Sequence, residues 1–166
     1  MKITVLRLGH RIFRDQRLTT HCALVVRTFG ANEIIYTGEK DSEMENSVKD
    51  VVKRWGGPFK IRHEKSWKPI LKNWKGKIIH LTMYGINLDD CIKKIPKENL
   101  LIIIGGEKVP SELYQLSDFN IAIENQPHSE VAALAILLDK LKLKKKFKNP
   151  KIKIIPQKKG KKLVSK

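Results

Sequence analysis

The pentapeptide Leu100-Leu101-Ile102-Ile103-Ile104 constrains the fold more than any other stretch of the 166 residues. It is short for a helix, rich in branched side chains, and ended by Gly105-Gly106. A strand without a polar face belongs at the centre of a sheet covered on both sides. Ile3–Leu8, Ile34–Tyr36, Phe59–Arg62, Ile78–Leu81 and Phe119–Ile123 predict further strands, alternating with segments of helical period. The expected class is therefore α/β with a mainly parallel sheet.

The helices fall between these runs. Thr19 or Thr20 is placed to cap one that ends at Gly30. Ser42 and Glu45 have capping-box spacing ahead of the stripe Met44, Val48, Val51, Val52 and Trp55, which Gly56-Gly57-Pro58 stops. Short helices are expected over Ser66–Asn73, over Leu88–Ile95, and from Pro110 as a first helical residue. Val131, Leu134, Ala135, Leu138 and Leu141 mark a long last helix. Lys151–Ile155 and Lys161–Val164 predict a basic hairpin or arm. The chain divides into a main domain, residues 1–147, and a basic extension, residues 148–166.

Charge is unevenly spread. Of a formal net charge of +17, residues 140–166 supply 13 lysines and no acidic group, leaving a body of net +4. A weakly basic body with a strongly basic tail points to a polyanion, nucleic acid before an anionic membrane. A solubility role alone is the competing explanation, disfavoured because surface charge usually mixes both signs. Cys22 and Cys91 fit neither a disulfide framework nor zinc spacing. The beginning Met1–Gly9 lacks the apolar region of a signal peptide, and the longest apolar run, Val131–Leu138, is too short to span a bilayer. A cytoplasmic protein is expected.

In a parallel sheet, ligand sites form at the carboxyl ends of strands, which directs attention to three junctions. The first is His80–Gly85, HLTMYG. The second is Gly105–Pro110, GGEKVP, where two glycines let backbone amides approach a ligand, although a tight turn explains them as well. The third is Glu124-Asn125-Gln126-Pro127-His128-Ser129. A helix start needs one cap, and Asn125 or Ser129 suffices; Gln126 and His128 then have no assigned role.

Arg7–His21 gathers four arginines and two histidines directly after the first strand, which suggests a phosphate-binding loop rather than a merely solvated one. His128-Ser129-Glu130 is not a hydrolase triad, because adjacent residues cannot meet as nucleophile, base and orienter. Nor do the five histidines form a metal spacing, so no metal is expected.

Four motifs in one order, RLGHRIFRDQRLTTH (Arg7–His21), HLTMYG, GGEKVP and NQPHSEVAALA (Asn125–Ala135), resemble the archaeal tRNA (cytidine(56)-2'-O)-methyltransferases of the SPOUT class. The resemblance covers Lys2 to about Lys142. It implies helices on both faces of the sheet, a C-terminal trefoil knot, a homodimer with sites at its interface, and S-adenosyl-L-methionine as methyl donor. The implied product is a tRNA cytidine methylated on its ribose 2'-hydroxyl. Leu81 and the neighbouring HLTMYG backbone would line the adenine pocket; Gly105, Gly106, Glu107, Lys108 and Val109 would form a second wall. Ile123, Glu124, Asn125, Gln126, Pro127, His128, Ser129 and Glu130 would form the third. Arg17, then Arg14, are the candidate catalytic arginines, expected to clamp phosphate and stabilise the developing alkoxide rather than act as literal bases. Asp15 would either orient such an arginine or form a structural salt bridge.

Two other functions stay open at this point. One is a non-catalytic RNA-binding module, motivated by the tail and the arginine segment. The other is the same chemistry on another RNA nucleotide.

Overall fold

The computed structural model describes residues 1–106, 108–144 and 147–165. Six strands, β1 (Ile3–His10), β2 (Glu33–Gly38), β3 (Lys60–His63), β4 (Lys77–Asn87), β5 (Leu100–Ile104) and β6 (Phe119–Ala122), form one sheet. Every pairing in it is parallel, in the order β3-β2-β1-β5-β4-β6. The five aliphatics of β5 are all buried between β1 and β4, the position a strand without a polar face requires.

Strand side chains alternate between the two faces. On one, Val5, Leu100, Ile102 and Ile104 pack with Cys22 and Val26 of α1 (Ile12–Thr28), Met44 and Val48 of α2 (Ser42–Trp55), and Leu134 and Leu137 further along the chain. On the other, Leu6, Leu8, Leu101 and Ile103 pack with Leu71 of α3 (Lys68–Lys72). After β4 the chain makes a short α4 (Leu88–Cys91) continued by a 3-10 turn, Ile92–Lys94. Leu113 of α5 (Glu112–Leu116) joins the second face, and α6 (Glu130–Lys140), which carries Leu134 and Leu137, covers the first. Each such buried aliphatic contributes about 1.5–3 kcal/mol.

Several helix starts differ from expectation. α1 begins at Ile12, so Thr19 does not cap it, and much of the expected arginine loop is helix. Asp15, in the first turn, holds that start: its carboxylate accepts the Arg11 amide (3.1 Å) and suits the positive end of the helix. α2 is capped by Asp41, one residue before Ser42, through the Met44 amide at 2.9 Å. α5 starts at Glu112 rather than Pro110, whose carbonyl instead accepts the Leu113 amide. Ser129 occupies the N-cap position of α6, but its side chain makes no capping bond.

β4 runs beyond Leu81 to Asn87, with a break in register: Leu81 and Ile86 both pair with Ile121. At the break the backbone of Gly85 lies hard against β6. A Cβ there would stand 2.5 Å from Asn120 C and O and from Ile121 N, so only glycine fits. The extension forms the antiparallel pair β7 (Ile152–Ile154) and β8 (Leu163–Ser165), with shorter strands than the sequence predicts. Paired backbone bonds between Gly57 and Lys148, and one from the Lys151 amide to Arg54 O, hold its root against the end of α2.

Candidate active site

A cleft of about 490 Å³ opens at the carboxyl ends of β1, β4, β5 and β6, where the three junctions converge. Leu81, Ile104, Val109, Ile123 and Ala133 give it apolar walls. Gly105 and Gly106 form part of its lining; a Cβ on Gly105 would stand 2.7 Å from Val109 Cγ2, whereas above Gly106 the nearest atom is Glu130 Oε1 at 3.8 Å. The volume lies in the range of small-molecule sites, about 300–1,000 Å³.

Arg7 is the buried centre of the polar side. It shares the sheet face of Val5, two residues earlier, and therefore points toward α1 and α6. Arg7 is only 1% exposed; it lies 3.7 Å from Asp15 and 3.8 Å from Glu130, and donates from one terminal nitrogen to Leu8 O. Its Nε and Glu130 Oε2 are buried without a hydrogen-bond partner. Burial pushes the Glu130 carboxyl above the usual carboxylate range, against the pull of the Arg7 charge. For Asp15 burial acts upward too, but the hydrogen bond from Arg11 and the charge of Arg7 outweigh it and hold the carboxyl low. Two carboxyls on one arginine are thus pushed in opposite directions.

Below the first turn of α1, His10 is 1% exposed and joins two elements. Its Nε2 faces Asp41 Oδ2 at 3.3 Å and its Nδ1 faces the Thr19 hydroxyl at 2.9 Å. A carboxylate only accepts, so the neutral ring donates from Nε2 and takes the Thr19 proton at Nδ1. Burial lowers the imidazole's pKa despite Asp41. On the opposite sheet face, His80 is fixed by Asn120 (3.0 Å) and by an edge-on contact with Tyr114, and both His80 and Tyr114 line the cleft.

Of the residues expected from sequence, Arg14, Leu81, Gly105, Gly106 and Val109 line the cleft. So do Ile123, Pro127, His128 and Glu130. Arg17, Lys108, Glu124, Gln126 and Ser129 are exposed and outside its lining, and Glu107 lies outside the described residues. Asn125 acts between loops: its side-chain amide donates to Met83 O (2.7 Å) and Gly85 O (3.1 Å), tying the third junction to the first. Sequence reasoning gave no site role to Tyr114, which also lines the cleft, as do Arg11 of the arginine segment and His80, Thr82, Met83 and Tyr84 of the first junction. Two of these, Thr82 and Tyr114, approach through their hydroxyls at 3.5 Å.

Both cysteines are free and buried, and the Cys22 thiol is pushed up to about 12, chiefly by burial, which excludes it as a nucleophile. Among the described residues no group of His, Cys, Asp and Glu could hold a metal, and no helix is long and apolar enough to cross a membrane.

The family model described as tRNA ribose 2'-O-methyltransferase, aTrm56, matches residues 55–164. A Thermococcus kodakarensis protein named tRNA (cytidine(56)-2'-O)-methyltransferase is 56% identical, over 98% of this chain and 96% of its own. A Pyrococcus horikoshii protein of the same name is 55% identical, over 98% of this chain and 84% of its own. Among solved structures, the SpoU methyltransferase AviRb from Streptomyces viridochromogenes, in complex with the cofactor AdoMet, superimposes with a TM-score of 0.61 at 13% identity. The alignment spans 84% of this chain and 57% of that one, and shows a shared fold.

Proposed function

This chain belongs to the tRNA (cytidine(56)-2'-O)-methyltransferase family, and from that membership we infer how its cleft works. The protein transfers a methyl group from S-adenosyl-L-methionine to the ribose 2'-hydroxyl of cytidine 56 in tRNA. The cleft suits the cofactor: its apolar walls fit an adenine, and its glycine-lined wall lets backbone approach a ligand. When bound, the cofactor supplies an activated methyl group.

The residues divide the remaining work. Leu81, Ile123 and Val109 hold the flat apolar part of the cofactor, while Gly105 and Gly106 admit it closely. Glu124, Gln126 and Ser129, on the loop that Asn125 braces, and Lys108, on the loop after β5, are proposed to close over it when RNA is bound. Arg14, on the cleft wall, holds a phosphate beside the target ribose and steadies the developing alkoxide. Arg17 lies one helical turn further on and serves the same charge from outside the cleft lining.

Glu130 takes the proton. Its carboxylate would accept the proton of the ribose hydroxyl as that oxygen takes up the methyl group the cofactor would supply. The observation that carries this assignment is Glu130 Oε2: buried, unpartnered, at the boundary between the loop walls and the arginine side. A carboxyl raised above its ordinary value is a stronger base than an exposed one. Arg7 and Asp15 position it.

A homodimer is part of the same proposal. Ile12 and Phe13 at the start of α1, Tyr84 and Ile86 on β4, and Ile136 on α6 are exposed apolar side chains on elements that border the cleft. So is a knot crossing at Gly85, supported by the close passage of β4 over Asn120-Ile121. The enzyme is proposed to work beside its tRNA substrate in the cytoplasm.

Nucleotide-resolution mapping of 2'-O-methylation on a tRNA transcript tests the reading. One new methyl is expected at cytidine 56, and none when that ribose is 2'-deoxy. A methyl that persists on the deoxy substrate, or appears elsewhere, overturns it. Cofactor titration by calorimetry separates the enzyme from a module that binds RNA alone.

A further inference from the structure

A second cavity, of about 190 Å³, lies at the other end of the sheet, where the loops entering β2 and β3 meet the root of the extension. Among the described residues its lining includes Arg27, Asn32, Gly56, Lys144, Phe147 and Lys148, with three cations and no acidic residue. Arg27, at the end of α1, is 9% exposed. One of its terminal nitrogens donates to Gly56 O at 2.7 Å, and its guanidinium stands 4.8 Å from the centre of the Phe147 ring. Its Nε is buried with no hydrogen-bond partner.

No carboxylate compensates this charge among the described residues. Burial alone acts on the proton affinity of Arg27, lowering it, and the chain from 140 to 166 contains no acidic residue that could supply a counter-ion. A buried cation without a counter-ion is costly even with its bond to Gly56 O, so the pairing that would relieve it is with an anion from outside. The walls are fixed rather than loosely hung. Lys148 N and O bond to Gly57 O and N, and a Cβ on Gly56 would stand 2.8 Å from Lys148 O.

The size and place of the cavity narrow the anion. Its volume suits a phosphoryl group and falls below the range of nucleotide-sized sites, about 300 Å³ and upward. It lies at the amino-end edge of the same parallel sheet whose carboxyl-end edge carries the cleft. Five residues of parallel strand already separate the two by about 16 Å, so one ligand touching both is a long polyanion. We propose that Arg27, Lys144 and Lys148 seat a backbone phosphate of the RNA substrate, a second anchoring point remote from the reacting ribose. The proposal rests on the tRNA reading above.

The test uses the full chain and three substitution sets. Lys144→Ala with Lys148→Ala removes the rim charges, Lys158→Ala with Lys161→Ala removes equal charge from the hairpin, and Arg27→Gln removes the buried cation where it still folds. The probes are inorganic phosphate, read as a rise in melting temperature, and tRNA transcript, read as affinity against salt. Wild type and the hairpin variant are expected to show the phosphate shift; the rim variant is expected to lose it. The rim variant is also expected to bind tRNA about tenfold more weakly, with a log–log salt slope shallower by about two, and to bind cofactor as wild type does. An equal phosphate shift in the rim variant and wild type overturns the seat. Loss of the shift with unchanged tRNA affinity overturns the RNA assignment in favour of free phosphate. Failure of wild type to bind cofactor or methylate tRNA is a distinct result, against the enzyme reading itself.

Discussion

Arg7 Nε and Glu130 Oε2 lie 3.8 Å apart at the cleft, and neither has a hydrogen-bond partner. The separation is too long for a hydrogen bond yet short enough for strong charge interaction in a partly dry site. Two such atoms would normally close on each other. Arg7 is drawn also toward Asp15 and donates to Leu8 O, which leaves Glu130 attracted but not saturated. That is a suitable condition for a group that must accept a proton.

Glu130→Gln keeps the shape and removes the base. A loss of about 10²-fold or more in kcat is expected, with cofactor affinity within a few-fold of wild type. If affinity falls in step with kcat, Glu130 only holds the cofactor. Stability gives an independent readout. The folded carboxyl titrates above its ordinary 4.5, so ionising it opposes folding as pH rises through the folded value. Glu130→Gln is therefore expected to melt higher than wild type near neutral pH, and the difference should shrink toward pH 4.5.

His10 makes the opposite case. Its folded pKa lies below 6.5, so the stability held by the neutral ring is present above that value and lost as pH falls through the folded one. Wild type is expected to weaken in denaturant below about pH 6.5, whereas His10→Asn lacks that component. At neutral pH the variant should be less stable by about 1–3 kcal/mol, the cost of losing the ring's bonds to buried Thr19 and to Asp41 Oδ2. Equal pH slopes in the two proteins would remove His10 from the account.

Gly85→Ala probes the close approach of β4 to β6 at the break in register. The added carbon meets only backbone, Asn120 C and O and Ile121 N at 2.5 Å, so no rotamer relieves it. A destabilisation of about 1–3 kcal/mol or more is expected by denaturant titration, with weakened cofactor binding because Asn125 is bonded to Gly85 O. A fully stable Gly85→Ala protein would show that the two segments can separate freely.

How much of this could be read beforehand depends on whether the cause is local. Branched apolar runs showed all six main strands, and β5 announced its central place, because burial on both faces is written in every residue. Arg7 shows where that logic stops. In an arginine-rich segment it looks like another exposed cation, although its spacing of two from Val5 on a strand already implied an inward side chain. The start of α1 depended on Asp15 reaching back to Arg11, which competes with the better-known Thr19 signal. The meeting of Asp15, Arg7 and Glu130 joins three distant segments, and no local pattern carries it. Gln126 and His128 exceeded what a cap needs; the structure places His128 at the cleft, while the loop's bracing comes from Asn125.

Asn125→Ala tests that bracing. Two bonds to Met83 O and Gly85 O are lost, with an expected cost of about 1–2 kcal/mol and a weaker affinity for cofactor by roughly tenfold. Because Asn125 lies outside the cleft lining, kcat at saturating cofactor should change little. A kcat loss at saturation would mean direct contact with the reacting groups.

Arg14 and Arg17 separate through subunit mixing. Arg14 lines the cleft of its own chain, whereas Arg17 is exposed one turn further along α1. Arg14→Ala is expected to lower kcat/KM by about 10²-fold, the scale of a lost charge-stabilising group. If Arg17 serves the neighbouring cleft of a homodimer, a heterodimer of Arg17→Ala and Glu130→Gln chains regains one intact site, built from the Arg17 of one chain and the Glu130 of the other. Mixed chains should then recover about a quarter of wild-type activity, because half the dimers are mixed and each has one of two sites intact. Two Arg14→Ala and Glu130→Gln chains mixed in the same way recover nothing if both residues act within one chain, since each chain's cleft lacks one of them. Absence of recovery in the Arg17 mixture, with dimers present by light scattering, assigns Arg17 to RNA contact on its own chain.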